Sequence, residues 1–445
     1  MQSPETILNH IVKSHFEIYD GWLRIDGMLL KDIVDRYGTP LYVYDTSIFK
    51  KKLALLRNAL PGVEIHYSVK ANPTPAVIKT FIDQGCGLEI ASAGELVLAQ
   101  KCGCSPSKIL FAGPGKTEGE LIAALEARVS EIHIESFEEI DLLSKIAGRF
   151  NSEFSVAIRI NPSDVIKGGA MVMGAKATAF GIDEELLFPA IDRVREAGNL
   201  NLCGLHCYAG TQIIDYDILV DMYEHYIRLA ARMAEYIGKP LKTLDLGGGF
   251  GVPYFESDKD LEMDKLYKHI TPIFKQARDT KYLKSTKFIV EPGRYLVAEA
   301  GLYITRILYC KSSRDKKIII LDGGMNHNVT ATGHFGQIIK RNFPMALGNK
   351  MNKDAKVKYT VAGPLCTPLD TLGRDVLLPT AESGDIMVFF QSGAYARSAS
   401  PLRFLSHPEP MEVFIENGES SVVRQRSDVK DVFRGTNLNN NLTMG

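Results

Sequence analysis

Eight short, β-branched stretches alternate with helical patterns between Val63 and Glu291, and this alternation constrains the fold more than any other feature of the chain. The stretches lie near residues 64–69, 88–91, 108–112, 131–134, 155–160, 202–208, 242–246 and 287–291. Helical periodicity fills the intervals, for example over Pro75–Gln84, Ala93–Lys101 and Asp217–Tyr236. Eight strand–helix units joined by right-handed crossovers are typical of a (β/α)8 TIM barrel, an α/β fold with a closed parallel sheet.

The chain on either side of this repeat follows a different pattern. After Gly301 short alternating strands predominate, and these are Tyr303–Cys310, Lys317–Asp322, Lys356–Ala362, Asp385–Phe390 and Met411–Glu416. Such alternation predicts an antiparallel β domain. Before the repeat we expect a helix and two strands, Phe16–Ile25 and Leu41–Tyr44. The predicted organisation is an N-terminal segment that completes the β domain (1–45), the barrel (46–300), the C-terminal β domain (301–435) and a flexible tail (436–445).

The charge of the chain favours a small-molecule ligand. A net charge of -1 and a pI of about 6.8 give no electrostatic signature of nucleic-acid or membrane binding. No secretory signal and no membrane-spanning apolar stretch is recognisable. Seven cysteines, an odd number, predict reduced thiols and a cytoplasmic protein. Cys102 and Cys104 lack a second ligand pair at zinc-site spacing, so no metal is predicted.

Polar residues and glycines recur where the predicted barrel strands end, which is where barrel enzymes place their catalytic groups. They are Lys70, Glu89, Arg159, Tyr208, Thr211, Gly247, Gly248, Gly249, Glu291 and Arg294. Any one of these residues is more often a solvated side chain or part of a tight turn. Their convergence on one rim of the barrel instead favours a common site.

Three features of this rim match the needs of pyridoxal 5'-phosphate. Lys70 can form the Schiff base that holds this cofactor. The glycine run Gly247–Gly249 after the seventh strand, together with Arg294, can bind its phosphate. Glu291 can pair with the ring nitrogen and keep it protonated, which makes the ring an electron sink for a carbanion at the substrate's α-carbon. A carboxylate at that place favours decarboxylation, whereas an arginine would give a weaker electron sink.

These residues lie in motifs that resemble the fold-type III pyridoxal-phosphate decarboxylases, the family of diaminopimelate and ornithine decarboxylases with an alanine-racemase-like barrel. The resemblance runs from about residue 35 to 415, and its segments are Tyr67-Ser-Val-Lys-Ala-Asn72, Glu89-Ile-Ala-Ser-Ala-Gly-Glu95, Gly247-Gly-Gly-Phe250, Glu291-Pro-Gly-Arg294, Gly363-Pro-Leu-Cys366 and Gly393-Ala-Tyr395. It implies a barrel followed by a β domain, pyridoxal phosphate as cofactor and α-decarboxylation of an amino acid.

The resemblance also implies roles for the β domain. In the family, the cysteine of this domain reaches across a dimer interface, so we expect an obligate homodimer with shared active sites. Cys366 would be the proton donor to the carbanion, with the freed Lys70 as an alternative donor, and Tyr395 would contact the cofactor phosphate. Taken without the resemblance, Cys366 would be interpreted as a buried structural thiol.

The chain departs from the family pattern at positions that face cofactor or substrate. Tyr208 stands where the family usually has a histidine that stacks on the cofactor ring, and Thr211 stands in place of a serine. Diaminopimelate decarboxylases follow the cysteine with Glu-Ser, whereas Thr367 follows it here. Losing that glutamate removes the counter-charge for a distal ammonium, and an unpaired buried charge is costly. The residues expected to contact substrate are Arg341, Cys366, Thr367, Asp370 and Tyr395.

The substrate prediction follows from these departures. The variant motifs are most similar to family members of specialised metabolism, namely decarboxylases of an L-glutamyl group on an acyl-carrier protein in antibiotic pathways and, next, of citryl-amino acid siderophore intermediates. A small molecule or a carrier-tethered amino acid is therefore the expected substrate. Decarboxylation of meso-diaminopimelate, amino acid racemisation and a non-catalytic cofactor carrier are the alternatives, although Glu291 and Cys366 argue against a racemase. His327 and His334 are expected to be surface or interface histidines.

Overall fold

The computed structural model describes residues 6–163, 171–172, 177–208, 210–335, 337 and 340–435. Within these, the chain forms two compact units. One contains Phe49–Pro253 and Ser257–Val297, and the other contains the residues up to Ile48, Tyr254–Glu256 and the residues from Ala298 onward. The predicted flexible tail, 436–445, lies outside the described residues.

The first unit is a closed parallel barrel, as predicted. Its eight strands are Glu64–Ser68, Gly87–Ile90, Ile109–Phe111, Glu131–Ile134, Phe154–Asn161, Leu200–Cys207, Thr243–Asp245 and Lys287–Val290. Each strand pairs in parallel with the next along the chain, and the eighth pairs with the first to close the ring. The strands are buried almost throughout, and most of their residues are apolar.

Helices follow the strands and surround the barrel. They are Thr46–Ala59, Pro75–Asp83, Ala93–Lys101, Glu118–Ala127, Phe137–Arg149, Leu187–Ala197, Tyr216–Ile237, Met263–Arg278 and the short Arg294–Val297. Three of them begin at a capping hydroxyl that accepts a hydrogen bond from the amide three residues on, at Ser92, Thr117 and Ser136. Because such caps satisfy amide groups that the helix itself leaves unpaired, the chain turns sharply from strand end to helix start.

The second unit is built on a mostly antiparallel sheet. Its longest strand, Gly301–Ser313, pairs antiparallel with Leu41–Asp45, Lys316–Leu321 and Ile386–Phe389. The remaining strands of this unit are Glu17–Tyr19, Trp22–Ile25, Met28–Leu29, Met345–Leu347, Val357–Ala362, Thr371–Leu378, Met411–Glu416 and Glu419–Arg424, and its helices are Ile7–His15 and Leu30–Tyr37. The N-terminal strand Leu41–Asp45 therefore lies inside the sheet that the C-terminal part forms.

Two details of this sheet differ from the prediction. The pairs Lys316–Leu321 with Val357–Ala362 and Leu41–Asp45 with Met411–Glu416 are parallel, because in each case the strands are separated by long intervening segments rather than a hairpin. Among the described residues, no helix is both long and apolar enough to span a bilayer.

Candidate active site

Lys70 follows the first barrel strand directly, in the single helical turn Val69–Ala71. Its amine nitrogen lies 3.1 Å from each carboxylate oxygen of Glu89, which ends the second strand. The Lys70 side chain is 49% exposed, whereas that of Glu89 is 2% exposed. Ser68 donates a further hydrogen bond of 2.5 Å to Glu89. A buried carboxylate thus orients a half-exposed amine at the rim of the barrel.

The glycine run after the seventh strand packs tightly against its neighbours. Gly247 and Gly249 adopt φ of 70° and 93°. A Cβ atom on Gly247 would lie 2.6 Å from the carbonyl oxygen of Cys207, and one on Gly248 would lie 2.5 Å from that of Glu291. Only glycine fits these contacts. The Gly247 amide donates to Asp245 (2.8 Å), so it is engaged inside the chain rather than directed at a ligand.

Glu291 follows the eighth strand and lies in a buried polar cluster with His133, His206 and Asp245. Nε2 of His206 lies 3.3 Å from Oε2 of Glu291, and the imidazole rings of His133 and His206 pack with centroids 4.3 Å apart. Burial alone would raise the pKa of Glu291, but His206, His133 and Lys70 bring it well below its usual range. Burial lowers the pKa of His206 to about 4. Glu291 is therefore a buried anion, and His206 is the imidazole nearest to it.

Arg159, near the end of the fifth strand, forms an ion pair with a second buried carboxylate. Its guanidinium lies 2.6 Å from Glu135, which also accepts the backbone amides of Gly113 (2.6 Å) and Gly181 (3.1 Å). The guanidinium carbon is 6.0 Å from the ring centroid of Tyr208. Arg159 and Tyr208 thus lie together at the rim. Thr211 lies in the short strand Gly210–Thr211, and Arg294 opens the helix Arg294–Val297 after Glu291.

The residues predicted in the β unit lie in three of its loops. Cys366 is exposed, so the interpretation of a buried thiol is wrong. Tyr395 has a φ of 62°, and the centroid of its ring lies 6.1 Å from the ring centroid of Phe335. The guanidinium of Arg341 packs 3.5 Å above the ring of Phe255.

Asp370 supports loops rather than presenting a free carboxylate. Its side chain is buried, with 3% exposed, and its two oxygens accept the amides of Met325 (2.7 Å) and Leu365 (2.8 Å). Contact of Asp370 with substrate stays a prediction. Thr367 caps the following turn through its hydroxyl, which accepts the amide of Leu369 (3.3 Å).

His327 is not the surface histidine that the sequence suggested. It is buried, its Nε2 lies 2.9 Å from the carbonyl of Pro408, and its Nδ1 lies 3.2 Å from the hydroxyl of Tyr303. Burial lowers its pKa to about 4. His327 is therefore a neutral histidine of the core of the β unit.

The polar residues inside the barrel strands were not predicted from the sequence, because the prediction used only residues at strand ends. His133, His206 and Asp245 come from three different strands, and Glu131 accepts the hydroxyl of Thr243 at 2.6 Å. The signal was present in the run Glu131-Ile-His-Ile-Glu135, because residues two apart in a strand point to the same face. Three polar side chains on one face of a buried strand indicate a polar barrel interior.

Glu95 should give the protein a distinctive dependence of stability on pH. Burial and the charge of Glu89 raise the pKa of Glu95 to about 7. Between the usual glutamate pKa of about 4.3 and this value, the folded protein holds a proton that the unfolded chain has lost, so stability falls as pH rises through this window. We expect Glu95→Gln to remove this fall and to stabilise the protein by about 1–2 kcal/mol above neutral pH. The free energy of unfolding in urea, measured at several pH values across this window, tests the prediction.

The exposed Glu126 of the helix Glu118–Ala127 provides the control, since Glu126→Gln should leave the pH profile of stability unchanged. A Glu95→Gln variant with the same slope as the wild type would show that Glu95 ionises normally.

The rim has the features that pyridoxal phosphate requires. A half-exposed lysine is held by Glu89, and a glycine loop that admits no side chain follows the seventh strand of the same barrel. Oε1 of Glu291 is buried and accepts no hydrogen bond from the described residues, so it can accept one from a protonated ring nitrogen. Lys70 thus fits the aldehyde of the cofactor, the glycine loop fits its phosphate, and Glu291 fits its ring nitrogen.

Comparisons with known proteins agree with this chemistry. The family model described as "Pyridoxal-dependent decarboxylase, pyridoxal binding domain" matches residues 46–298. The L-glutamyl-[BtrI acyl-carrier protein] decarboxylase of Niallia circulans is 36% identical over 414 residues, which cover 92% of this chain and 96% of that protein. The diaminopimelate decarboxylase of Aquifex aeolicus is 31% identical over 415 residues, covering 93% and 95%.

Solved structures give the same result. The diaminopimelate decarboxylase of M. jannaschii in complex with L-lysine superimposes with a TM-score of 0.88 at 27% identity and covers 96% of this chain and 99% of that one. The match extends through both the barrel and the β unit. The resemblance seen in the sequence is confirmed, and the chain belongs to the pyridoxal-dependent decarboxylases, enzymes that use pyridoxal phosphate to remove a carboxyl group.

Proposed function

We propose that this enzyme removes the α-carboxylate of an amino acid whose far end is an acyl group, with an L-glutamyl unit on an acyl-carrier protein as the foremost candidate. The observation that carries this proposal is the state of Asp370. It is the first acidic residue after Cys366, and backbone amides occupy both its oxygens. Because a distal ammonium needs an available counter-charge, this loop suits an uncharged distal group better than the amino group of diaminopimelate.

The similarity to the Niallia circulans enzyme supports the same substrate class. Thr367 then takes the place of a distal contact, where a hydroxyl can hydrogen-bond to an amide or thioester carbonyl. Diaminopimelate remains the second candidate because relatives about 30% identical along nearly their whole length carry that name.

Each of the barrel residues has its own role toward the cofactor. When bound, pyridoxal phosphate withdraws the electron pair that the departing carboxylate leaves on the α-carbon. The amine of Lys70 would hold the cofactor at the open end of the barrel, with Glu89 orienting that amine. Glu291 holds a proton on the ring nitrogen. Arg294 and the loop Gly247–Gly249 would bind the phosphate, Tyr208 would offer an aromatic face to the ring, and Arg159, paired with Glu135, would support Tyr208.

Cys366 completes the reaction by protonating the α-carbon after the bond to the carboxylate has broken and carbon dioxide has left. We propose that this thiol comes from the second subunit of a homodimer, together with Tyr395 as a contact to the phosphate. Exposure of Cys366 on its own unit supports this, because an exposed thiol is available to another copy of the chain. The freed amine of Lys70 is the alternative proton donor.

Carbon dioxide release from the cofactor-loaded enzyme tests the substrate. The panel contains meso-diaminopimelate, lysine, ornithine, glutamate, a glutamyl thioester and a citryl-amino acid. We expect turnover of the acylated compounds, and a carrier-bound glutamyl group to exceed the simple thioester. Efficient turnover of diaminopimelate with none of the acylated compounds would overturn the proposal.

Cys366→Ala should retain the bound cofactor but lower kcat about 10²-fold, because the variant loses a positioned proton donor. The product formed in deuterated water should also lose its stereochemical purity. Cys310 is the other exposed thiol of the described chain, and Cys310→Ala should leave kcat unchanged. Wild-type kinetics in Cys366→Ala would remove this thiol from the reaction.

Mixing two variants tests whether the sites are shared. Lys70→Ala and Cys366→Ala subunits, combined and reassociated in equal amounts, should recover about a quarter of wild-type activity, because half of the dimers then contain one intact site of two. No recovery above the two parent variants would place both groups in one subunit.

A further inference from the structure

Two buried carboxyl groups face each other inside the barrel. Asp245 ends the seventh strand with 0% of its surface exposed, and Glu291 follows the eighth strand with 6% exposed. Their carboxylate oxygens belong to a group of four side chains, with His133 and His206, whose polar atoms all lie within 4.8 Å of one another. Asp245 also pairs with His206 across the strand ladder, so the cluster is contiguous.

Among the described residues, two buried oxygens of this pair have no hydrogen-bond donor unless one of the carboxyl groups is protonated. Oδ1 of Asp245 accepts the amide of Gly247, and Oε2 of Glu291 lies 3.3 Å from Nε2 of His206. Oδ2 of Asp245 and Oε1 of Glu291 are buried and accept no hydrogen bond from the described residues. Buried polar atoms without a partner are rare and costly. A single proton on Asp245 turns it into a donor that can reach Glu291 and leaves one oxygen for the cofactor.

The charges around the pair support the same state. Arg159 is engaged with Glu135, and Lys70 with Glu89. His133 lies 3.3 Å from Glu131, and His206 is the imidazole closest to Glu291. Burial and the neighbouring Glu291 raise the pKa of Asp245 well above its usual range. Two carboxylates that share a site in a low-dielectric interior do not ionise together.

We propose that Asp245 is a protonated carboxylic acid at neutral pH and donates a hydrogen bond to Glu291. Asp245 is then a positioning residue. With His206 it fixes the orientation of the Glu291 carboxylate and confines the negative charge to the group that faces the ring nitrogen. This consequence rests on the proposed function, whereas the protonated state of Asp245 rests on the barrel interior alone.

The proposal excludes a metal ion at these four residues. Ligand atoms around a tetrahedral zinc ion are separated by roughly 3.3–3.5 Å, as follows from bond lengths of about 2.0–2.1 Å. The four ligand atoms here lie within 4.8 Å of one another, so a bound ion would take the place of the proposed proton. Metal analysis of the purified protein is the direct check, and a near-stoichiometric tightly bound metal would overturn the proposal.

Infrared difference spectroscopy on the cofactor-free protein tests the protonated state directly. We expect the wild type minus Asp245→Asn spectrum at neutral pH to show the carbonyl stretch of a protonated carboxylic acid. Incorporation of ¹³C-aspartate into the wild type should shift that band, which distinguishes aspartate from glutamate, and absence of any such band overturns the proposal even if Asp245→Asn does not fold. A difference spectrum that contains only carboxylate bands, or no isotope-sensitive acid band in the wild type, would overturn the proposal.

Two substitutions test the positioning role in the loaded enzyme. Asp245→Asn keeps one donor toward Glu291 and one acceptor for Gly247, whereas Asp245→Leu offers neither. We expect Asp245→Leu to shift the pH dependence of the bound-cofactor absorbance and to lower kcat about tenfold with little change in KM, and Asp245→Asn to restore most of both. If Asp245→Asn and Asp245→Leu change kcat and the absorbance equally while the acid band is present, Asp245 is protonated but does not position Glu291. That result leaves the assignment of the substrate unaffected, so the two proposals can fail separately.

Discussion

Replacing Lys70 with alanine is expected to remove covalent attachment of the cofactor and to lower kcat by at least about 10³-fold. The reason is the placement of the amine, which Glu89 holds through both carboxylate oxygens at the open end of the barrel. Alanine offers no nucleophile there and leaves the buried Glu89 without its cation. Absorbance of the purified protein, followed by borohydride reduction and peptide mass mapping, measures the loss. In the wild type, the reduced cofactor should be found on the peptide that contains Lys70.

Two further substitutions separate the nucleophile from its charge. Lys70→Arg keeps a cation beside Glu89 but cannot form the linkage, so it should fold like the wild type and remain inactive. Lys79→Ala removes an exposed lysine of the helix Pro75–Asp83, whose partner is Asp83, and should change neither absorbance nor kcat. Reduced cofactor on a peptide without Lys70 in the wild type would contradict the assignment.

The barrel and its rim could be predicted because each signal is local. A buried parallel strand is an apolar run, and the polar residue that ends it stands out against that run, as Lys70 does after Tyr67-Ser-Val. The chain order of the strands then sets their order in the barrel, since parallel neighbours are joined by short right-handed crossovers. For these reasons the eight strands and the positions of Glu89, Arg159 and Glu291 at strand ends followed from sequence.

The remaining features depend on contacts between distant segments. Glu131 and Thr243 are 112 residues apart, and nothing near either residue reveals that the barrel brings them together. The strand Thr371–Leu378 escaped prediction because Gly373, Arg374 and Asp375 interrupt its alternation, and Asp375 adopts a φ of 51°. The surroundings of Asp370 show the same dependence on distant segments. Its acceptance of amides from Met325 and Leu365 requires the folding of two separate loops.

Glu291→Gln is expected to lower kcat about 10²–10⁴-fold while the cofactor stays attached to Lys70. Glutamine has nearly the same shape but no charge, so the ring nitrogen loses the group that keeps its proton. The buried surroundings strengthen this effect, because an interaction between opposite charges is worth more in a low-dielectric site. Absorbance spectra against pH should show the ring nitrogen losing its proton at lower pH than in the wild type, and carbon dioxide release should fall in parallel.

Glu291→Asp and Glu131→Gln complete this experiment. Aspartate keeps the charge on a shorter side chain, so it should recover part of the lost activity. Glu131 is an equally buried carboxylate of the same barrel, and it is occupied by Thr243, Cys203 and His133. Glu131→Gln should therefore cost stability rather than a specific step of the reaction, with kcat per folded, cofactor-loaded molecule within about tenfold of the wild type. Equal losses of kcat in Glu131→Gln and Glu291→Gln would attribute the effect to a disturbed barrel interior and not to the charge that Glu291 presents to the ring nitrogen.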